Sequence, residues 1–147
     1  PSDYERASQG IDDSLADLGM DYVDLMLIHQ PGSNDEAVYK AMEQAVRDGK
    51  VRSIGISNFE GRYLEELAAK WEVVPQFMQV EAHPYFTQRE LRGTLDPLGI
   101  RLMSWYPLGH GDKALLREPV LADIAARCRP ETMPETLNES LPLNGTS

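Results

Sequence analysis

Val23-Asp24-Leu25-Met26-Leu27-Ile28-His29-Gln30-Pro31 is a short apolar run that stops abruptly at an ionisable ring and then a proline. A run of this length, with polar groups only at its margins, fits a strand buried on both faces better than a helix, and such strands belong to parallel sheets covered by helices. His29 then stands where the strand leaves the sheet. Ligands of parallel α/β folds bind at the carboxyl ends of strands, so this position suits chemistry. A core histidine satisfied by a backbone carbonyl fits the same residues, and the stretch alone does not separate the two readings.

Working outward, Ile11, Leu15 and Leu18 recur at helical spacing before the run, and Gly19 can close that helix, predicted over 1–18. After it, Ser33 and Glu36 have the spacing of a capping box, which predicts a helix with Val38, Met42, Ala45 and Val46 on its apolar face and Gly49 at its end. A second strand is predicted from Val51 to Ser57, then a helix with Tyr63, Leu64, Leu67, Ala68 and Trp71 on one side. A third strand follows from Phe77 to Ala82. Thr87 and Glu90 repeat the capping-box spacing ahead of a stripe formed by Leu91, Leu95 and Leu98, and a fourth strand runs from Ile100 to Trp105. Pro119 to Arg127 resembles one more helix start.

The predicted strands begin near residues 23, 51, 77 and 100, a spacing that signals stacked βα units. Each exits into polar or aromatic residues: His29, Ser57 with Asn58, His83, and Trp105 with Tyr106. This is an α/β fold of about four parallel strands with helices, a partial (β/α)8 TIM barrel with its functional face at the strand ends. At 147 residues the chain is short for a closed barrel, which takes about 250. From Arg129 onward the residues RPETMPETLNESLPLNGTS show no periodicity, so 1–128 is read as the barrel-like domain and 129–147 as an irregular tail. A truncated or frame-shifted coding sequence accounts for that change of composition as well as a frayed tail does.

Composition limits the partners. Twenty-four acidic residues against 14 basic ones give a formal charge of -10, which argues against nucleic acid or an anionic membrane surface. An anionic cofactor would need a local positive site or backbone N–H groups. Cys128 is the sole cysteine, no apolar run approaches a membrane span, and the N-terminus has no signal pattern, so a cytoplasmic setting is expected. Asn138-Glu139-Ser140 and Asn144-Gly145-Thr146 match the glycosylation sequon, a short pattern that arises by chance. The three histidines lack metal-ligand spacing, and no metal is expected.

Four segments, taken together, resemble the aldo-keto reductase family, whose members are (β/α)8 barrels using a nicotinamide cofactor. They are Ser14-Leu15 through Asp21-Tyr22-Val23-Asp24-Leu25 to Leu27-Ile28-His29; Arg52-Ser53-Ile54-Gly55-Ile56-Ser57-Asn58-Phe59; Gln79-Val80-Glu81-Ala82-His83-Pro84; and Ser104-Trp105-Tyr106-Pro107-Leu108-Gly109. The second is close to the family's signature in full. The resemblance implies that His29 orients and polarises a substrate carbonyl, that Ser57, Asn58 and Gln79 hydrogen-bond the nicotinamide carboxamide, and that Trp105 stacks on the nicotinamide ring. Tyr106, Leu108 and His110 would approach the cofactor pyrophosphate. NADPH is expected first and NADH second, with an aldehyde or ketone as substrate.

Without the resemblance, Ser57-Asn58 reads as a helix start, and Gln79 and Trp105 as sheet and core residues. The resemblance spans residues 11–127. The family's catalytic aspartate, its tyrosine acid, the lysine that tunes it, and the basic segment that reads a 2′-phosphate match no motif here. The expectation is a reductase in the full-length parent and a nearly inert chain by itself, self-associating through unpaired strand edges. The alternative is a non-catalytic truncated product or a partner-binding partial barrel.

Overall fold

The computed structural model describes residues 2–111 and 113–128. By its internal contacts the chain divides into two units, residues 1–107 and 108–147. The first unit runs α1 (Asp3–Leu18), β1 (Val23–Ile28), α2 (Asp35–Arg47), β2 (Val51–Ser57), α3 (Gly61–Ala68), β3 (Phe77–Glu81), α4 (Arg89–Leu95), a 3-10 turn (Asp96–Leu98) and β4 (Arg101–Trp105). Described elements of the second are a 3-10 turn (Gly109–Gly111), α5 (Lys113–Leu116) and α6 (Pro119–Arg127). The predicted tail, 129–147, lies outside the described residues.

The four strands form one parallel sheet in the order β1-β2-β3-β4. Successive side chains of a strand point to opposite faces. On one face Ile28, Ile54, Ile56, Met78 and Val80 are buried, and they form a single core with Leu15 of α1, Tyr39 and Met42 of α2, Leu64 and Leu67 of α3, and Leu95 of α4. Burying an aliphatic side chain of this size contributes about 1.5–3 kcal/mol before chain entropy is counted, so this layer supplies most of the cohesion.

The other face carries Leu25, Leu27, Ser53, Gly55, Ser57, Phe77, Gln79, Glu81, Met103 and Trp105. The prediction of a strand buried on both faces fails here. Leu25 and Leu27 are only half-buried, because the helices pack on the opposite face and this one would turn toward the axis of a barrel. Leu25 and Leu27 do close over the next strand: a Cβ added at Gly55 would stand 2.9 Å from Leu27 Cβ and 3.3 Å from Leu25 Cδ1.

Helix starts depart from the expected capping boxes. At α2 the Ser33–Glu36 box does not form, since Asn34 is the cap residue and makes no side-chain cap bond. Asp35 instead turns back to accept from the Gly32 N–H at 2.8 Å. At α4 the cap residue is Gln88 in the left-handed region at φ 56, not Thr87. The Gln88 amide donates to the Glu81 carbonyl oxygen at 2.8 Å, tying the helix start to the end of β3. A full capping box forms where none was predicted, between Ser2 and Glu5 at the start of α1.

Candidate active site at the strand ends

Strand register brings the predicted residues to one end of the sheet. Ser57 closes β2, pairs with Gln79 of β3, and is 1% exposed. Asn58 leaves the strand in the left-handed conformation at φ 62, which asparagine tolerates better than most side chains. Its backbone N–H donates to the Gln79 carbonyl oxygen at 3.0 Å and its amide donates to Ser57 Oγ at 3.2 Å. One hydroxyl and two carboxamides thus sit on neighbouring strand ends. Gln79 Nε2 also reaches Met103 Sδ of β4 at 3.4 Å.

His29 follows Ile28, whose partner on β2 is Ile56, so the histidine comes level with Ser57 and is exposed. Trp105 ends β4 opposite Glu81, one alternate position beyond Gln79 on the same face, and is 39% exposed. Tyr106 turns out of the strand at φ 67 and meets the Trp105 ring edge-on at 5.4 Å between centroids. Leu108 falls in the second unit and is exposed. His110 is in that unit's 3-10 turn, and its side chain lies outside the described part.

Two arrangements escaped the sequence reading. Glu81 lies on the same face as Gln79, and its carboxylate is 3.2 Å from His83 Nε2, while His83 Nδ1 is buried without a partner. The His83 ring is surrounded by those of Tyr85, Phe86 and Tyr106. Both residues stand inside a quoted segment, but nothing in their spacing marks a pair. The second arrangement holds the loop after His29. Buried Asp35 accepts from Gly32 N–H and from the Tyr63 hydroxyl, the latter at 2.6 Å, and the Tyr63 ring stacks on Phe59 at 5.7 Å. The histidine loop is thereby fastened to the segment that follows Ser57-Asn58.

That clasp has a pH signature. The hydrogen bond to Asp35, then partial burial, pushes the Tyr63 phenol up to about 12, and burial followed by the charge of Glu43 raises Tyr39 as well. The fold favours the neutral phenols, so their contribution is fully present below the ordinary tyrosine value near 10 and is lost as pH rises toward 12. Lys50 beside Asp12 and Lys70 beside Glu36 act in the same direction at the surface. Urea midpoints should therefore fall between about pH 10 and 12. Tyr63→Phe should flatten part of that fall while costing about 1 kcal/mol at neutral pH. An unchanged alkaline slope in Tyr63→Phe would contradict the assignment.

A cleft of about 560 Å³ lined by Glu60, Tyr85, Phe86, Gln88, Arg89 and Leu91 contains none of the predicted site residues. Among the described residues no helix is long and apolar enough to cross a membrane.

The family model described as the aldo/keto reductase family matches residues 2–139. The chain belongs to the aldo/keto reductase family. Among its relatives is glyoxal reductase of Bacillus subtilis, 43% identical over 125 residues, which cover 84% of this chain and 45% of that protein. A crystal structure of an aldo/keto reductase from Brucella melitensis superposes with a TM-score of 0.74 at 41% identity, over 84% of this chain and 48% of that one. The Bombyx mori aldo-keto reductase, solved in complex with NADP, gives a TM-score of 0.63 at 31% identity, over 69% of this chain and 36% of that one. This aldo/keto reductase chain thus spans less than half the length of these relatives, and its sheet corresponds to part of their (β/α)8 barrel.

Proposed function

We propose that this segment carries the nicotinamide-facing half of a carbonyl reductase, which reduces an aldehyde or ketone to an alcohol with NADPH, or secondarily NADH, in the cytoplasm. The observation that carries the reading is the Ser57–Gln79 strand pair with Asn58 turned beside it. A carboxamide presents one acceptor and two donors in a plane, and a hydroxyl with two side-chain amides offers matching groups. When bound, the dinucleotide supplies a hydride equivalent to the carbonyl carbon.

This chain's own residues orient that exchange. Ser57, Asn58 and Gln79 fix which face of the pyridine ring is presented, and Trp105 offers a flat apolar surface on which the ring can rest. His29 donates a hydrogen bond to the carbonyl oxygen, an interaction that strengthens as negative charge develops there. Tyr106, next to Trp105, serves the pyrophosphate. No metal takes part in this scheme.

Reduced nicotinamide mononucleotide, which carries the ring and carboxamide without the adenine half, is the probe for this reading. Asn58→Gly keeps the left-handed turn, because glycine adopts it freely, and removes the amide. Its dissociation constant for the probe should rise about 3- to 10-fold, the worth of one hydrogen bond, with fold stability changed by less than about 1 kcal/mol. Equal affinity in the two proteins, or no saturable binding by the unsubstituted chain, would remove the carboxamide role.

The same fold supports a proposal about partners. β1 and β4 are the outer strands of the sheet, and strand edges invite pairing with another chain. Self-association through these edges is expected for the chain by itself.

A further inference from the structure

We propose, resting on the carbonyl reductase reading above, that Glu81, held in place by His83, sets a carboxylate beside the pyridine ring and shifts the affinity of the site toward the oxidised, positively charged form of that ring.

Gln79 and Glu81 are alternate residues of β3, so their side chains leave the same face roughly 7 Å apart. Across the sheet Glu81 pairs with Trp105, about 5 Å away, as Gln79 pairs with Met103. Gln79 is the group assigned to the carboxamide and Trp105 the surface assigned to the ring. Glu81 adjoins both. A ring that meets these two side chains lies within one side chain's length of a carboxylate.

His83 keeps the carboxylate there. Its Nε2 stands 3.2 Å from Glu81 Oε1, and its Nδ1 is buried with no partner among the described residues. The ring therefore donates from Nε2 as the neutral tautomer, because an imidazolium would bury a second N–H with no acceptor. Its surroundings hold it in place. His83 and Phe86 exchange backbone hydrogen bonds at 3.1 and 2.8 Å, and the rings of Tyr85, Phe86 and Tyr106 stand 6.2–6.4 Å from the imidazole. The Ala82 N–H donates to the Trp105 carbonyl oxygen at 3.2 Å, which ties the indole's strand end to the same turn. Among the described residues no lysine or arginine forms an ion pair with Glu81, so its charge stays uncompensated.

The charge of the ring is what changes in the reaction. Transfer of a hydride, one proton with two electrons, from the ring to a carbonyl carbon turns a neutral dihydropyridine into a pyridinium with one positive charge, while the carbonyl oxygen takes a proton from an acid. A carboxylate attracts only the second ring state. Opposite unit charges about 7 Å apart are worth a factor of about 3 in an equilibrium constant in bulk water, and more where the dielectric falls. The Glu81 side chain is 40% exposed, which holds the factor to about 3–10. That preference lowers the potential of a bound two-electron couple by about 14–30 mV, so the bound reduced ring is the stronger hydride donor.

The test uses the full chain with nicotinamide mononucleotide in its oxidised and reduced forms, which share one ribose and phosphate and differ in the charge of the ring. The ratio of the two dissociation constants at neutral pH is the readout, since the phosphate cancels in it. Glu81→Gln keeps the shape without the charge and should shift the ratio about 3- to 10-fold toward the reduced probe, by weakening the oxidised one. Asp17→Asn, which removes a charge from the exposed surface of α1, should leave the ratio within about 1.5-fold. His83→Phe keeps an aromatic ring without the donor and should lose part of the preference, and His83→Gln, whose amide can donate again, should recover it.

An unchanged ratio in Glu81→Gln, or an equal change in Asp17→Asn, overturns the role of Glu81 and leaves the nicotinamide reading standing. Should Glu81→Gln fold poorly by circular dichroism, the two His83 variants decide by the same ratio: no loss in the first, or no recovery in the second, overturns the pair. Absence of saturable binding of either probe by the unsubstituted chain removes the nicotinamide reading, and this inference with it.

Discussion

Glu43→Ala should destabilise the chain by about 2–4 kcal/mol in urea unfolding at fixed protein concentration, a large fraction of the stability of a domain this size. Glu43 projects from α2, is 2% exposed, and accepts from the backbone N–H groups of Glu72 and Val73 at 2.6 and 2.8 Å. Beside it the Tyr39 hydroxyl donates to the Val73 carbonyl oxygen at 2.6 Å, and the Tyr39 ring stacks on Trp71 at 5.4 Å. These bonds strap the segment between α3 and β3 to α2. Alanine strands two amide donors and leaves space in the wall of the core. Glu43→Gln keeps an acceptor of the same shape without the charge, and should cost roughly half as much, since charge-assisted hydrogen bonds are about twice as strong as neutral ones. Trp71 fluorescence reports the strap directly. A Glu43→Ala protein within about 0.5 kcal/mol of the parent would show that the carboxylate is dispensable.

Assayed by itself, the 147-residue chain should oxidise NADPH with an aldehyde at least about 10²- to 10⁴-fold more slowly than full-length members of the family. That factor is what a positioned general acid typically contributes, and the family's proton donor, with its aspartate and lysine partners, matches no motif in these residues. Tyr22 precedes β1 and lies against Arg52, whose guanidinium carbon is 4.0 Å from its ring centroid, at the opposite end of the strand from His29. It is badly placed to substitute. Turnover near the family's rate would mean that another group, such as the Glu81–His83 pair, delivers the proton.

Much of this was legible in the chain. The strands are short apolar runs bounded by glycine, proline or polar residues, and their observed limits differ from expectation by at most a residue at an end: Val23–Ile28 against a predicted end at His29, and Phe77–Glu81 against Ala82. The strand boundaries alone put Ser57 and Asn58 at the end of β2, whereas Gln79, in the middle of β3, and the roles given to all three came only from the resemblance. What failed depends on groups distant in sequence. Ser33 has the spacing of a cap, but Asp35 wins the loop because Tyr63, 28 positions away, adds a second bond to its carboxylate. Trp71 continues the helical stripe on paper, yet α3 ends at Ala68 and the indole stacks on α2 instead. Leu98 drops out of its stripe because Pro97 tightens the chain into a 3-10 turn, leaving the side chain exposed.

The missing side chain at Gly55 has an effect on what can rest above it. With no Cβ there, Leu25 and Leu27 lean across from the neighbouring strand and pave the layer beneath Ser57 with hydrocarbon. A guest lying on the Ser57–Gln79 rim would therefore meet a greasy floor under it and polar groups only around its perimeter. Flat rings bearing hydrogen-bonding groups at their margins gain from such a platform, whereas compact, fully hydrated ions would have to shed water with nothing below to replace it.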